Sequence, residues 1–95
     1  MLNGKQKRYL RSLAVNEKAL FQIGKDGLTE NLVTSLKQAL AKREMLKIAV
    51  LKSCDLPENE LIIDLLASTG SELVQNVGRN IVIYKRSKEK VIDLP

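Results

Sequence analysis

The chain contains no histidine, no tryptophan and a single cysteine, Cys54. Without histidine it lacks the commonest general base and the commonest zinc ligand. A lone cysteine makes neither an internal disulfide nor a metal framework, so Cys54 reads as a small, partly buried apolar residue. No paired carboxylates and no nucleophile–base pair stand out. An enzyme is not expected, and neither is a metal or another cofactor. Aromatics are limited to Tyr9, Phe21 and Tyr84. A base-stacking sheet needs two or three exposed aromatics together, and that pattern is missing. Phe21 is expected in the core; Tyr84 alternates with Val82 and fits either core or surface. No apolar run approaches the ~18–20 residues of a membrane helix. The basic N-terminus is not followed by a signal-peptide apolar block. A cytoplasmic protein with no membrane partner is expected.

Charge of one sign is also missing in places. Residues 1–16 hold Lys5, Lys7, Arg8 and Arg11 and no acid. Residues 53–78 hold Asp55, Glu58, Glu60, Asp64 and Glu72 and no base. Residues 79–90 set Arg79, Lys85, Arg86, Lys88 and Lys90 against Glu89 alone, and the net charge is +5. Such charge is ordinary solvated surface, or it becomes a basic face when folding brings the chain ends together. Lys7 and Arg11 are four apart, and Arg8 and Arg11 three. Each like-charged pair costs an isolated helix about 0.2–0.5 kcal/mol. That uncompensated cost suits a helix that meets something anionic.

What is present is enough for one domain with one modest core, since the chain has 95 residues. A first helix is predicted from Asn3 or Gly4 to about Val15, with Leu2, Tyr9, Leu13 and more loosely Leu10 as its apolar stripe. Lys7, Arg8 and Arg11 are expected roughly opposite. Residues 19–23 read as a strand. Thr29 is a good N-cap for a helix to about Arg43, with Leu32, Leu36, Ala39, Leu40 and Arg43 on one face. Residues 45–52 read as a second strand, with Leu46, Ile48 and Val50 facing one way and Lys47, Ala49 and Leu51 the other. A loop with Pro57, a short helix over 60–69 stopped at Gly70, and two strands around Gly78-Arg79 follow. Residues 86–95 are a basic tail, partly ordered through Val91, Ile92 and Leu94. The order α-β-α-β-α-β-β predicts an α/β domain over 1–95, a four-stranded mixed sheet covered by helices. Right-handed crossovers limit its topology.

Gly24-Lys25-Asp26-Gly27 joins the first strand to the best helix. Two readings are open. Glycine allows positive φ and aspartate tolerates it, so the segment works as a plain turn. Alternatively, backbone N–H groups at the glycines and at the following helix N-terminus meet a phosphate, with Lys25 adding charge. In KH domains a G-x-x-G loop clamps a nucleic-acid backbone in this way. With so few aromatics, binding would rest on phosphate contacts and shape, which favours structured RNA.

Three separated stretches resemble one family. "GKQKRYLRSLA" resembles the first helix of the small bacterial CRM-domain, YhbY-type proteins. "QIGKDGLTENL" resembles their strand–G-x-x-G–helix signature, and "ELVQNVGRNIVIYKRSKEK" their closing hairpin and basic tail. The resemblance covers nearly the whole chain and departs at "LKSCDLPENE". It implies a fold similar to the C-terminal domain of translation initiation factor three. It also implies an RNA-binding protein that associates with large ribosomal subunit precursors and assists assembly. Its RNA-binding loop falls on Gly24, Lys25, Asp26 and Gly27, its basic helix on Lys5, Lys7, Arg8 and Arg11. Asp26 is acidic where a neutral or basic residue would suit phosphate better, which leaves the loop's backbone as the contact. Arg79, Lys85 and Arg86 extend that surface if hairpin and tail lie beside the loop. The implied partners are ribosomal RNA in the precursor and, further, ribosomal proteins. An alternative is a protein-interaction module whose acidic segment 53–78, with Glu60 and Asp64 one helical turn apart, docks a basic ribosomal protein. A monomer is expected, since no exposed apolar stripe asks for a partner.

Overall fold

The computed structural model describes residues 1–88 and 90–95; Glu89, the one acid of the basic stretch, lies outside them. Among the described residues the helices are α1 (Gly4–Ala14), α2 (Glu30–Arg43) and α3 (Glu58–Thr69). The strands are β1 (Phe21–Ile23), β2 (Met45–Val50), β3 (Glu72–Val77) and β4 (Asn80–Tyr84). They form one sheet in the order β1-β2-β4-β3. β1 is parallel to β2, and β4 pairs antiparallel with both β2 and β3. The mixed α/β sheet read from the sequence is the one observed.

Topology then places the loops. β2 and β3 both oppose β4, so they run the same way as β1. The β1–β2 and β2–β3 crossovers step in the same direction across the sheet. Right-handed connections therefore put α2 and α3 on the same face. There Leu36, Leu40, Leu61 and Leu65 pack on Ile23, Leu46, Ile48, Ile81 and Ile83. α1 covers the other face, where Leu10 and Ala14 meet Met45, Val74, Val82 and Tyr84, with Leu2, Ile92 and Leu94. The ends of β1, β2 and β3 share one edge, called here the upper end. It carries the β1–α2 turn, the β2–α3 loop and the β3–β4 turn. The lower end carries the α2–β2 junction, the α3–β3 junction and the tail.

Local chemistry explains the boundaries. Asn3 caps α1 in a full capping box with Gln6. Thr29 caps α2 by accepting the Leu32 N–H at 3.1 Å. Gly70, at φ 67°, ends α3 in the left-handed conformation. Several expectations shift. β1 is confined to Phe21–Ile23 and β2 stops at Val50, although the expected faces of β2 hold. α3 starts two residues earlier than expected, at Glu58, directly after Pro57. Phe21 packs half-buried against the larger core and Tyr84 is fully inside the smaller one. The α1 stripe is rotated. Leu10 and Ala14 are the buried pair, Leu13 is half-buried and Tyr9 is exposed. Arg43 is exposed rather than on the buried face of α2. Between Leu73 and Gln75 a register shift leaves Val74 as an extra residue against β4, a β-bulge on an edge strand.

Candidate nucleic-acid interface

At the upper end, Gly24-Lys25-Asp26-Gly27 is a tight turn. The Gly27 N–H donates to the Gly24 carbonyl at 3.0 Å, and Gly27 sits at φ 65°. The positive φ favours glycine here, and a Cβ would lie 3.0 Å from Leu56 Cδ1, the end of an exposed side chain that has room to give. Gly24 faces the β2–α3 loop, where a Cβ would be 3.3 Å from Ser53 Oγ and 3.4 Å from Leu51 Cδ1. Between the two glycines Lys25 and Asp26 are both exposed. Two residues later comes the Thr29 cap. The turn thus leads directly into the N-terminus of a fourteen-residue helix, whose first N–H groups have no intrahelical partner.

Arg79 joins this end. Its carbonyl accepts the Val50 N–H at 2.7 Å, and its Nη1 donates to the Leu51 carbonyl at 3.3 Å. The Leu51 N–H in turn donates to the Ile23 carbonyl, just before Gly24. One chain of hydrogen bonds therefore ties the hairpin turn to the glycine-bracketed turn. Gly78, at φ 62°, lets β3 and β4 reverse in two residues and presents Arg79 outward.

Lys85 and Arg86 do not join it. They follow β4 at the lower end, about 20 Å of extended chain away from Arg79. There the Lys85 N–H donates to the Glu44 carbonyl at 2.8 Å, and its Nζ donates to the Thr69 carbonyl at 3.1 Å. It serves as a C-terminal cap of α3. The expectation that Arg79, Lys85 and Arg86 form one continuous extension of the loop is corrected by the strand order. A hairpin sends its turn and its outgoing strand to opposite ends.

The cations of α1 occupy a third place. Lys5, Arg8 and Arg11 are exposed, while Lys7 is half-buried beside the packed stripe. Lys7 and Arg11 thus flank the buried face instead of opposing it, as Leu10 and Ala14 dictate. Arg11 Nε donates to the Val74 carbonyl of β3 at 3.4 Å. β3 is the edge opposite β1, three strands or about 14 Å across the sheet. The basic helix and the glycine turn belong to one surface only for a ligand long enough to reach both.

Sequence reasoning passed over Glu44. It is fully buried, has φ 65° and forms the whole junction between α2 and β2. Its carboxylate accepts the Ser87 N–H at 2.7 Å and the Ile92 N–H at 2.5 Å, fastening the tail. Burial pushes its pKa up, but these donated hydrogen bonds outweigh that and hold the carboxyl below the ordinary glutamate value. One signal was available: an acid at a helix C-terminus opposes the macrodipole and calls for local donors.

Geometry of this kind defines an α/β domain that exposes a glycine-bracketed turn at a helix N-terminus. The CRS1 / YhbY (CRM) domain model matches residues 2–85. The chain is 45% identical to the Probable RNA-binding protein YqeI of Bacillus subtilis, covering 100% of both. It is 34% identical to an RNA-binding protein of Haemophilus influenzae, over 99% of this chain and 95% of that protein. A solution structure of a Staphylococcus aureus protein superimposes with a TM-score of 0.81, at 50% identity over the whole of both chains. The chain belongs to the CRS1 / YhbY (CRM) domain family.

Proposed function

We propose that this protein binds structured RNA through its phosphate backbone and serves assembly of the large ribosomal subunit. The observation that carries the reading is the upper end of the sheet. Exposed Lys25, the Gly24-to-Gly27 turn, the α2 N-terminus and Arg79 converge there. N–H groups at the start of a helix and mobile positive charge suit phosphate oxygens. Relatives named as RNA-binding proteins support the same ligand class. Asp26 acts in the turn rather than on phosphate. Lys5, Lys7, Arg8 and Arg11 supply a second line of contacts to the same RNA across the sheet. The ribosomal precursor as target rests on the family resemblance. A monomer acting in the cytoplasm fits that target; no described helix is long and apolar enough to cross a membrane.

The test is sucrose-gradient fractionation of lysate. Wild type is compared with a Lys25→Ala/Arg79→Ala variant whose fold is checked by circular dichroism. Wild type migrating with large-subunit precursors, and the variant at the top, is the expected result. Wild type also at the top would remove the ribosomal target.

A second reading keeps one observation of its own. On α3, Ile63 is 65% exposed between exposed Glu60 and Asp64. An apolar side chain framed by acids suits a basic protein, such as a ribosomal protein, docking on that face. Association with the precursor that survives nuclease digestion would favour it.

A further inference from the structure

A cavity of about 250 Å³ opens at the upper end between the start of α3 and the hairpin turn. Cys54, Leu56 and Leu61 give it apolar walls; Glu58, Asn76 and Arg79 give it a polar rim. It is smaller than the roughly 300–1,000 Å³ pockets that take drug-sized ligands. Its size suits a single heterocyclic ring system.

Three features set what it takes. First, it adjoins the phosphate-binding turn: Leu56, in its wall, is the residue that a Cβ on Gly27 would touch at 3.0 Å. Second, its rim is polarised. Arg79 stands on the side of the turn, held to the Leu51 carbonyl, while Glu58 stands with Asn76. A phosphate entering the cavity would meet Glu58; a neutral group would not be repelled. Third, the Asn76 amide donates to Glu58 Oε1, which leaves Glu58 Oε2 and Asn76 Oδ1 as unengaged acceptors. Acceptors on the rim suit the N–H donors on the Watson–Crick edge of a base, and guanine offers two adjacent ones. The planar Arg79 guanidinium supplies a stacking surface that the scarce aromatics do not.

We propose that this cavity receives one unpaired nucleobase of the bound RNA, stacked on Arg79, with its flanking phosphates resting on Lys25 and the glycine turn. The inference deepens the RNA-binding reading and rests on it. It also gives the acidic stretch a purpose within a basic protein. Glu58 reads base donors and keeps phosphate out, so the nucleotide enters in one orientation. The ligand is structured RNA carrying a bulged or flipped-out nucleotide.

Cys54 is 9% exposed and lines the cavity, so its slow alkylation reports access through the cavity mouth. The full-length protein is titrated with a fully paired RNA duplex and with the same duplex carrying one bulged guanosine. Cys54 alkylation by N-ethylmaleimide is followed by mass spectrometry. The bulged duplex is expected to bind about fivefold tighter or more, the lower end of what one stacked base contributes. It is also expected to slow alkylation, which the paired duplex leaves unchanged. Asn76→Tyr, an exposed strand position that accepts an aromatic residue, fills the mouth and should equalise the two duplexes. Glu58→Gln keeps the shape, turns one acceptor into a donor, and should shrink the ratio of bulged to paired affinity. Equal binding of both RNAs with unchanged alkylation overturns the cavity proposal and leaves the phosphate grip standing. Binding of neither RNA overturns the grip itself, and this inference with it.

Discussion

The upper and lower ends of the sheet carry the same kinds of charged side chain and put them to different work. At the upper end Lys25 and Asp26 project from a turn closed by the backbone bond from Gly27 to Gly24. At the lower end Glu44 and Lys85 are themselves the fastenings: one holds the tail, the other caps α3. Lys25 is not spent on the fold at all, and Arg79, with one bond to the Leu51 carbonyl, keeps its other N–H groups for a ligand, whereas the Glu44 carboxylate is taken up by the tail. The difference lies in hydrogen-bond partners, not in residue type.

Removing the tail fastening should have the largest effect. Glu44→Ala strips the acceptor from two backbone N–H groups and should cost about 2–3 kcal/mol by urea denaturation. RNA affinity at the upper end should change little once the protein is folded. The same fastening is sensitive to acid. Because the folded carboxyl titrates below its unfolded counterpart, its contribution is full above the ordinary value of 4.5 and fades as pH falls through the folded one. A wild-type stability loss below that value, missing in Glu44→Gln, would assign the titration to this residue.

Gly27→Val probes where the comparison blurs, since this upper-end glycine is also structural. Positive φ and the contact with Leu56 should cost about 1–3 kcal/mol, with lower RNA affinity beside it. Unchanged melting would mean the turn relaxes freely. Lys25→Ala with Arg79→Ala should do the reverse. Stability should stay within about 0.5 kcal/mol. The slope of log affinity against log salt should flatten by roughly 0.7–0.9 for each phosphate that the variant no longer neutralises. A filter-binding titration with an unaltered slope would remove the upper end from the interface. Smallest of all, Lys85→Ala should cost about 0.3–1 kcal/mol by uncapping α3, without changing the salt slope. A flattened slope there would make the lower end a binding surface too.

How much of this was readable beforehand depended on how local each cause is. Thr29 and the Leu36/Leu40 spacing specify α2 within a few residues, and its start and end were read correctly. Gly24 and Gly27 were visible for the same reason. The α1 face was misread because Tyr9 looks more apolar than Ala14, yet a small residue is what lets a helix approach a sheet closely. Glu44 was missed because its left-handed backbone is imposed by Ser87, Ile92 and Lys85, forty or more residues away. Grouping Arg79 with Lys85 and Arg86 failed for a related reason. Seven residues in sequence span the whole sheet once they form a strand.

The bulge at Val74 bears on how copies behave when crowded. An open sheet has two free edges, each a template for another chain. Here one edge, β1, is only three residues long. The other, β3, is kinked at Val74, whose carbonyl accepts from Arg11 Nε of α1. A polyanion that gathers many copies raises their local concentration and, with it, the hazard of edge-to-edge polymerisation. This sheet offers such growth only a three-residue edge and a kinked one.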